Sequence, residues 1–214
     1  MKKGFFITFE GCDGCGKTTQ SVIIVKKLKE LGYDVVHSRE PGGTVVAEAV
    51  RNILLNPKNK IFPVTELLLY EACRSQHTNE LIIPSLCSDK IVVCERYTDA
   101  TVAYQGFGRG LDRKTILSLN RIATSDIVPD ITILFDSDLK KGLQRVDIRG
   151  KDRLENENIA FHRRVRAGYM WLAKKYSRRI KIVKTGSRSI EDIACEIYKI
   201  IAGRLKPSGK LGAK

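Results

Sequence analysis

The chain has 214 residues, of which 43% are hydrophobic and 29% are charged, a composition typical of one globular domain with a substantial core. No apolar run reaches the ~18 residues that a membrane span needs, and the amino terminus lacks the pattern of an export signal, so we expect a cytoplasmic protein. The formal net charge of +14 is unevenly distributed, since residues 137–214 hold 21 of the 38 basic residues but 8 of the 24 acidic ones. Such an excess of positive charge favours binding of nucleic acid or of several phosphates in one cleft.

Short apolar runs alternate along the chain with longer segments of helical period, a pattern that predicts successive βαβ units around a parallel sheet. The predicted strands are residues 4–9, 33–38, 91–95, 131–136 and 180–184. The predicted helices lie near residues 17–31, 43–55, 65–88, 113–124, 138–146, 156–178 and 189–203. Because no repeat or linker separates these elements, we predict one domain over residues 1–204 and a basic, flexible tail over residues 205–214.

Chemically suggestive residues follow three of the predicted strands. They lie in segments 10–18, 39–44 and 95–106. In an open parallel sheet, ligands bind beyond the carboxyl ends of the strands. We therefore expect these three segments to meet at one binding site.

The first of these segments, EGCDGCGKTTQ at residues 10–20, contains the pattern GxxxxGK[ST] of a phosphate-binding loop. A strand-like run precedes it and a helical pattern begins at its lysine, as such a loop requires. Backbone N–H groups would then face the phosphates, while Lys17 would reach the β and γ phosphates and Thr18 would bind Mg²⁺. The predicted ATP-binding residues are Gly11, Cys12, Asp13, Gly14, Cys15, Gly16, Lys17, Thr18 and Thr19.

The same stretch also contains a CxxC pair, Cys12 and Cys15, which is the spacing of a redox disulfide or of half a zinc site. A redox pair would open a helix, whereas these cysteines lie inside the tight loop. The other four cysteines and the three histidines are scattered, so no second pair completes a zinc site. We interpret both cysteines as side chains that fit the loop.

Four further segments carry a family resemblance: REPGGTVVAEAVR (39–51), LLLYEACRSQH (67–77), CERYTDATVAYQGFGRG (94–110) and RGKDRLE (149–155). Together with the phosphate loop, they resemble thymidylate kinases in the same order and at similar spacing from about residue 4 to residue 200. The resemblance implies a three-layer α/β P-loop NTPase fold, with a five-stranded parallel sheet flanked by helices and a short mobile lid. It also implies transfer of the γ-phosphoryl group of ATP to dTMP with Mg²⁺, giving dTDP and ADP in dTTP biosynthesis.

The resemblance assigns roles to two residues after the third strand. Arg96 lies in the segment similar to the family's DRY signature and would clamp the acceptor phosphate, because a guanidinium fork matches phosphate oxygens. Glu95 stands where the family has Asp and would organise Mg²⁺ or its waters together with Thr18, although the extra methylene shifts the carboxylate. Lys17, Arg96 and Glu95 are therefore predicted to be catalytic.

Other positions of the resemblance imply a dTMP site. Asp13 corresponds to the residue that accepts a hydrogen bond from the sugar 3′-hydroxyl, and Tyr70 to a Phe that stacks on the base. Arg74, one helical turn further, would reach the carbonyl edge of the base. Tyr104 and Gln105 match residues beside the deoxyribose and the thymine, where Tyr104 would disfavour a 2′-hydroxyl.

The loop REPGGT resembles the family's loop along the monophosphate pocket, which places Arg39 and Pro41 near the ligand. In related kinases the adenine lies near the segment after the fifth strand, here residues 185–189. Two positions depart from the family pattern and leave local packing open: Ala47, where Gly is frequent, and residues 100–101, where a Ser-rich pair is usual.

Some thymidylate kinases carry an Arg in the phosphate loop, where this chain has Gly14, and others place the catalytic charge in a closing lid. This sequence resembles the second kind. We predict a lid segment, about residues 145–156, in which Arg145 contacts ATP while Arg149 and Arg153 are catalytic. Such a lid would close over the phosphates and exclude water.

Two other functions remain open. One is a related kinase for another nucleoside monophosphate or a deoxynucleoside, and the other is an ATP-dependent nucleic-acid-binding protein that uses the basic last third. With ATP and dTMP as ligands, no nucleic acid or membrane partner is expected. The resemblance implies a homodimer packed through helices 43–55 and 65–88, and a monomer remains an alternative.

Overall fold

The computed structural model describes residues 4–147 and 151–205. Their centre is a parallel sheet of five strands in the order β2-β3-β1-β4-β5. The strands are β1 (Phe5–Gly11), β2 (Val35–Arg39), β3 (Ile91–Glu95), β4 (Ile131–Asp136) and β5 (Ile180–Lys184). The predicted fold class is confirmed, and each predicted strand begins and ends within two residues of the observed one.

Helices cover both faces of the sheet in the described part of the chain. They are α1 (Lys17–Glu30), α2 (Val45–Leu55), α3 (Pro63–His77), α4 (Ile83–Cys87), α5 (Thr98–Thr101), α6 (Arg113–Thr124), α7 (Leu139–Asp147), α8 (Ile159–Lys175) and α9 (Ile190–Ala202). Two π-helical segments, Thr78–Ile82 and Val102–Gly108, join α3 to α4 and extend α5.

The predicted helix over residues 65–88 is interrupted. Its middle, Thr78–Ile82, is π-helical, and α4 begins at Ile83 with Pro84 in its first turn. Proline has no backbone N–H and its ring crowds the carbonyl four residues earlier, so a regular α-helix does not continue through it. The wider turn accommodates this residue.

Residues 98–108 form a helical segment that the sequence pattern did not predict. The stretch TDATVAYQGFG has three β-branched residues and two glycines, which lower helix propensity, and it lacks a clear apolar period. It is buried on nearly all sides, with Tyr104 and Gln105 among its enclosed side chains. Tertiary packing therefore stabilises this helix.

The core lies on both sides of the sheet, as expected for parallel strands that are buried on two faces. One cluster places Ile7 and Phe9 of β1 against Ile24 and Leu28 of α1. On the opposite face, a second cluster contains residues of α8 and of the 102–108 segment. This packing fixes the carboxyl ends of the strands, and thus the loops that follow them, in one rigid frame.

No helix within residues 4–147 and 151–205 is both long enough and apolar enough to cross a membrane.

Candidate active site

A cleft of about 580 Å³ opens at the carboxyl ends of the strands. It is lined by residues at or after the ends of β1, β2, β3 and β5, by Tyr70 and Arg74 of α3, and by residues from both ends of the predicted lid segment. The predicted site residues that line it are Asp13, Gly14, Cys15, Gly16, Lys17, Thr18, Thr19, Arg39, Pro41, Tyr70, Arg74, Glu95, Arg96, Tyr104, Gln105 and Arg145. The three segments expected to meet are therefore together in one place.

The loop between β1 and α1 is bent at its glycines. Gly14 has a φ of +69°, and a Cβ atom there would lie 2.1 Å from the carbonyl oxygen of Gly142 in α7. Any side chain at position 14 would thus force the loop and α7 apart. The loop also ends in a left-handed residue, Gly16, after which α1 begins at Lys17, as the sequence predicts.

Lys17 lies over this loop, with 8% of its surface exposed. Its Nζ donates hydrogen bonds to the carbonyl oxygens of Gly11 and Cys12 at 2.9 and 2.8 Å and lies 3.6 Å from Cys15 Sγ. The loop carbonyls therefore hold the ammonium at the helix start. Gly11 and Cys12 act through their backbones and do not line the cleft.

Both cysteines of the loop are buried free thiols, so the CxxC pair is not joined as a disulfide. Burial raises the pKa of the Cys12 thiol to about 12, which keeps it protonated at neutral pH. Within residues 4–147 and 151–205, no three His, Cys, Asp or Glu residues are grouped as a metal site would need.

Thr18 and Glu95 form a hydroxyl–carboxylate pair beside the loop. The Thr18 hydroxyl donates to Glu95 Oε2 at 2.6 Å, and the Ser21 hydroxyl lies 2.8 Å from Glu95 Oε1. Burial alone would raise the pKa of Glu95, but hydrogen bonds from His37, Thr18 and Ser21 outweigh it and lower the pKa to about 2. The carboxylate is therefore ionised at neutral pH, and hard oxygen donors of this kind suit Mg²⁺.

Arg96 lines the cleft beside the loop, where its Nη1 donates to the Gly11 carbonyl at 3.2 Å, and it has a left-handed backbone with a φ of +67°. Its guanidinium pairs with the Asp13 carboxylate, donates to the Tyr104 hydroxyl at 3.1 Å and lies over the Tyr104 ring. Tyr104 in turn donates to Asp13 Oδ2 at 2.7 Å. Burial would raise the pKa of Asp13, yet Arg96 and Lys17 outweigh burial and lower it to about 2. Hydrogen bonds therefore join three residues into one cluster: Arg96, the predicted phosphate clamp; Asp13, the predicted acceptor from the sugar hydroxyl; and Tyr104, the tyrosine predicted to pack beside the sugar.

Glu10 supports this cluster from below, and the sequence analysis missed it. It is fully buried in β1, where it accepts hydrogen bonds from the Tyr97 backbone N–H at 2.7 Å and the Tyr169 hydroxyl at 2.8 Å. Tyr169 is also 3.2 Å from an Arg96 nitrogen. Burial raises the pKa of Glu10 to about 7. An acidic residue inside an apolar strand was the available signal for it.

Arg74 is held in the cleft wall by buried acceptors, with 1% of its surface exposed. Its Nε donates to Glu40 at 2.8 Å, and Nη1 lies 2.9 Å from Glu71 and 2.8 Å from Thr101 Oγ1. The family resemblance implies that Arg74 reaches the carbonyl edge of the base. In the structure it lines the cleft while also joining three separate elements.

Gln105 and Tyr70 occupy the same wall. The Gln105 side-chain nitrogen donates to Glu66 Oε1 at 2.8 Å, so its amide is oriented by a carboxylate that has no exposed surface. Tyr70 packs against the cluster that contains Tyr104, and burial raises the pKa of its hydroxyl. Glu66 was also missed by the sequence analysis, because its partners are distant in the chain.

Arg39 is the last residue of β2, Pro41 lies on the loop that follows it, and both line the cleft. Arg39 is half-exposed and pairs with Glu48 of α2 through contacts of 3.0 and 3.1 Å. The Pro41 carbonyl accepts a hydrogen bond from Arg51 at 2.6 Å. These bonds join the loop to α2 and leave Arg39 at the open side of the cleft.

The predicted lid arginines have different positions. Arg145 lines the cleft and donates to the Gly14 carbonyl at 3.1 Å. Arg153 does not line the cleft, because its Nε and Nη1 donate to the Leu54 carbonyl at 2.7 Å and to Glu66 at 2.6 Å. Arg149 lies outside the described residues.

These features share one arrangement. A glycine-bent loop leads into a helix start with a lysine and a hydroxyl–carboxylate pair, and the Arg96 guanidinium lines the same cleft, bonded to Asp13 of the loop. Helix starts with free N–H groups bind phosphate, and the arginines add positive charge. The fold and the site together define a P-loop phosphotransferase.

Comparison with known proteins narrows this class. The family model for thymidylate kinase matches residues 9–197. A thymidylate kinase from Geotalea uraniireducens (strain Rf4) is 45% identical over 210 residues, which cover 94% of this chain and 98% of the relative. One from Pelotomaculum thermopropionicum is 46% identical over 200 residues, or 92% of each chain. A crystal structure of thymidylate kinase from Ehrlichia chaffeensis is 38% identical, with a TM-score of 0.77, and covers 93% of this chain and 98% of that one.

The chain therefore belongs to the thymidylate kinase family. Both the predicted family and the prediction of an enzyme are confirmed.

Proposed function

We propose that this enzyme transfers the γ-phosphoryl group of ATP to dTMP, giving ADP and dTDP, by direct in-line displacement with Mg²⁺ in dTTP biosynthesis. One observation carries this proposal: the Arg96 guanidinium and the Tyr104 hydroxyl line the same cleft as the phosphate loop and are joined to that loop through Asp13. Phosphoryl transfer brings two polyanions together, so its catalysis depends on positioning and on positive charge.

On the donor side, backbone N–H groups of the loop and the start of α1 bind the ATP phosphates. Lys17 leaves the loop carbonyls it contacts and bonds to the β and γ phosphates, which are stronger acceptors because they are charged. Thr19 and Arg145 line the same side of the cleft. The adenine lies near residues 185–189, of which Thr185, Gly186 and Arg188 line the cleft.

Thr18 and Glu95 fit a Mg²⁺ site, since both offer oxygen and the carboxylate is ionised. These two residues would hold Mg²⁺, which would supply positive charge against the charge that develops on the phosphates. The chain's own contribution is orientation: the Thr18 hydroxyl donates a hydrogen bond to Glu95, which leaves the lone pairs of its oxygen available to a metal ion.

On the acceptor side, Arg96 clamps the phosphate of dTMP and Asp13 accepts a hydrogen bond from the 3′-hydroxyl. Tyr104 packs beside the deoxyribose, while Tyr70 and Gln105 contact the base. The Arg74 bonds leave one Nη2 N–H for the base, since Tyr97 O accepts from the same nitrogen at 3.1 Å.

The lid supplies catalytic charge from Arg149, and from Arg153 once the Arg153 side chain leaves Glu66. Replacing Arg149 with Ala is expected to lower kcat about 100-fold with a smaller change in the KM for dTMP, because a charge that acts mainly in the transition state is removed. Steady-state kinetics measure both parameters. An unchanged kcat in Arg149→Ala, Arg153→Ala and the double variant would contradict a catalytic lid.

We further propose a homodimer in the cytoplasm. Exposed apolar side chains on α2, on α3 and at the turn between them form what we call the α2–α3 face: Val45, Val46, Ile53, Phe62, Val64 and Leu68. Exposed apolar side chains grouped on two neighbouring helices favour an association site. The free thiols of the chain fit a reducing compartment.

A substrate panel tests the function. ADP release is measured with dTMP, dUMP, UMP, CMP, AMP, GMP and thymidine, and separately with single-stranded DNA. We expect the highest kcat/KM for dTMP and no stimulation by DNA. Preference for another monophosphate would favour a related kinase, and DNA-stimulated ATP hydrolysis that ignores monophosphates would favour the nucleic-acid-binding alternative.

A further inference from the structure

The Glu95 carboxylate is held at both oxygens, although it is one methylene longer than the aspartate of the family pattern. Oε2 accepts from the Thr18 hydroxyl at 2.6 Å, and Oε1 lies 2.8 Å from the Ser21 hydroxyl. Thr18 and Ser21 are three residues apart in α1, so they share one face of the helix. This face therefore offers one hydroxyl to each carboxylate oxygen.

His37 adds a third partner from β2. Its Nε2 lies 3.0 Å from Ser21 Oγ and 3.5 Å from Glu95 Oε1. Ser21 has no exposed surface, and His37 and Glu95 are mostly covered. Both α1 and β2, the elements that pack beside Glu95 of β3, thus contribute a group next to the carboxylate.

The hydrogen bonds have a defined direction. A serine hydroxyl has one proton, and an ionised carboxylate accepts only, so Ser21 donates to Glu95 Oε1 in preference to the neutral Thr18 carbonyl 3.0 Å away. The Ser21 oxygen then accepts from His37, which must carry its proton on Nε2. The order is His37 to Ser21 to Glu95.

We propose that Ser21 and His37 are positioning residues that hold the Glu95 carboxylate in place for the Mg²⁺–nucleotide complex. A glutamate side chain has one more rotatable bond than an aspartate, and the hydrogen bonds from these two residues limit the rotation that this bond allows. The proposal rests on the nucleotide and metal site of the proposed function, but not on the identity of the phosphate acceptor. Outer partners of this kind commonly change metal affinity 10- to 100-fold when they are removed.

The test uses calorimetry on the full chain to measure the Kd of a non-hydrolysable ATP analogue, once in EDTA and once in Mg²⁺. The ratio of the Kd in EDTA to the Kd in Mg²⁺ shows how much Mg²⁺ tightens binding of the analogue. In Ser21→Ala and His37→Phe we expect this ratio to fall about 10-fold, while the Kd in EDTA stays within about twofold of wild type. The EDTA value also shows that the variants are folded.

Two further variants separate positioning from packing. His37→Gln places an amide N–H near the Nε2 position and is expected to keep the wild-type ratio, whereas His37→Phe keeps a ring without a donor. In a Glu95→Asp background, Ser21→Ala is expected to change the ratio less than twofold, because the shorter carboxylate no longer reaches the serine.

An unchanged ratio in Ser21→Ala and His37→Phe would overturn the proposal, as would a His37→Gln variant that behaves like His37→Phe. An equal effect of Ser21→Ala with Glu95 and with Asp at position 95 would overturn it as well. If these results are as expected but dTMP is not phosphorylated, the positioning role of Ser21 and His37 is supported, and the proposal that dTMP is the substrate is contradicted.

Discussion

Arg74 carries an almost fully enclosed charge, paired with Glu40 at 2.8 Å and with Glu71 at 2.9 Å. Burial of an ion pair costs solvation that its hydrogen bonds must offset, so removal of one partner leaves an uncompensated charge. Arg74→Met is therefore expected to lower the free energy of unfolding by about 3–5 kcal/mol, measured by denaturant titration.

An exposed pair provides the control. Arg121 pairs with Asp126 at 2.7 Å, with both side chains largely in solvent, so Arg121→Met should cost less than about 1 kcal/mol. A loss below about 1 kcal/mol in Arg74→Met, combined with a raised KM for dTMP, would show that Arg74 serves the ligand alone.

Glu10 predicts a pH dependence of stability. Its folded-state pKa is raised from 4.5 to about 7 by burial, so the folded protein binds more protons than the unfolded chain between these values. The contribution of Glu10 to stability is complete below about pH 4.5 and is lost as the pH rises through 7. Since one pKa unit is worth about 1.4 kcal/mol, the loss is at most about 3 kcal/mol.

Glu10→Gln removes this titration. The free energy of unfolding of Glu10→Gln minus that of wild type is expected to increase by up to about 3 kcal/mol between pH 5 and pH 8. Denaturant titrations of both proteins at each pH measure this difference. Parallel pH profiles for the two proteins would mean that Glu10 is already ionised at pH 5 in the folded state.

The individual site residues were predictable to different degrees. Lys17 and Thr18 follow from a local pattern with a physical role, and Arg96 follows from a family segment. Glu10 and Glu66 did not emerge, because their partners are distant in the chain: Tyr169 is 159 residues from Glu10, and Arg153 is 87 residues from Glu66. Local sequence patterns do not reveal such distant pairs, although the position of Glu10 inside an apolar strand marks it as unusual.

The phosphate loop and α7 are in direct backbone contact, which explains the absence of an arginine in the loop. A Cβ atom at Gly14 would lie 2.1 Å from the Gly142 carbonyl oxygen, and one at Gly142 would lie 2.6 Å from the Asp13 carbonyl oxygen. Since α7 also carries Arg145 into the cleft, this contact sets the distance between the loop and the beginning of the lid.

Gly14→Ala is expected to raise the KM for ATP at least 10-fold, because the added methyl group must separate the loop from α7. Gly110→Ala is the matched control: its φ of +77° also requires a left-handed backbone, but nothing lies within 4 Å of a Cβ there. It should cost about 1 kcal/mol of stability and leave the KM for ATP unchanged. Equal KM values in the two variants would contradict a role for the loop–α7 contact.

The regular elements were predictable where an apolar period is strong, as in the strands and α1. The 102–108 helix was not, because its residues are held by burial against α8 and not by local propensity. The break at residues 78–82 depends on Pro84, a residue whose effect extends backwards along the chain.

For the molecule as a whole, sequence pattern predicts a parallel sheet but not by itself the order of its strands. That order, β2-β3-β1-β4-β5, comes from contacts between strands far apart in the chain. The family resemblance supplied the fold that local pattern could not. Similarly, the α2–α3 face becomes visible as a surface only after α2 and α3 pack together.

Leu68→Glu is expected to shift the protein from dimer to monomer, because a charge in an apolar interface stays solvated only in the separated chains. Leu68 is half-exposed, and Ile122 of α6, 76% exposed, is the control outside the α2–α3 face. Sedimentation equilibrium at micromolar concentration measures the mass. A monomeric wild type, or an equal shift in Ile122→Glu, would contradict association through this face.

The most direct test follows the phosphorus atom itself. ATP labelled in its γ-phosphate is incubated with dTMP, Mg²⁺ and the purified enzyme, and the products are separated by ion-exchange chromatography. We predict that the label moves to the β-phosphate of dTDP in step with ADP formation. Label that stays in ATP, or that appears only as inorganic phosphate, would contradict the proposed transfer.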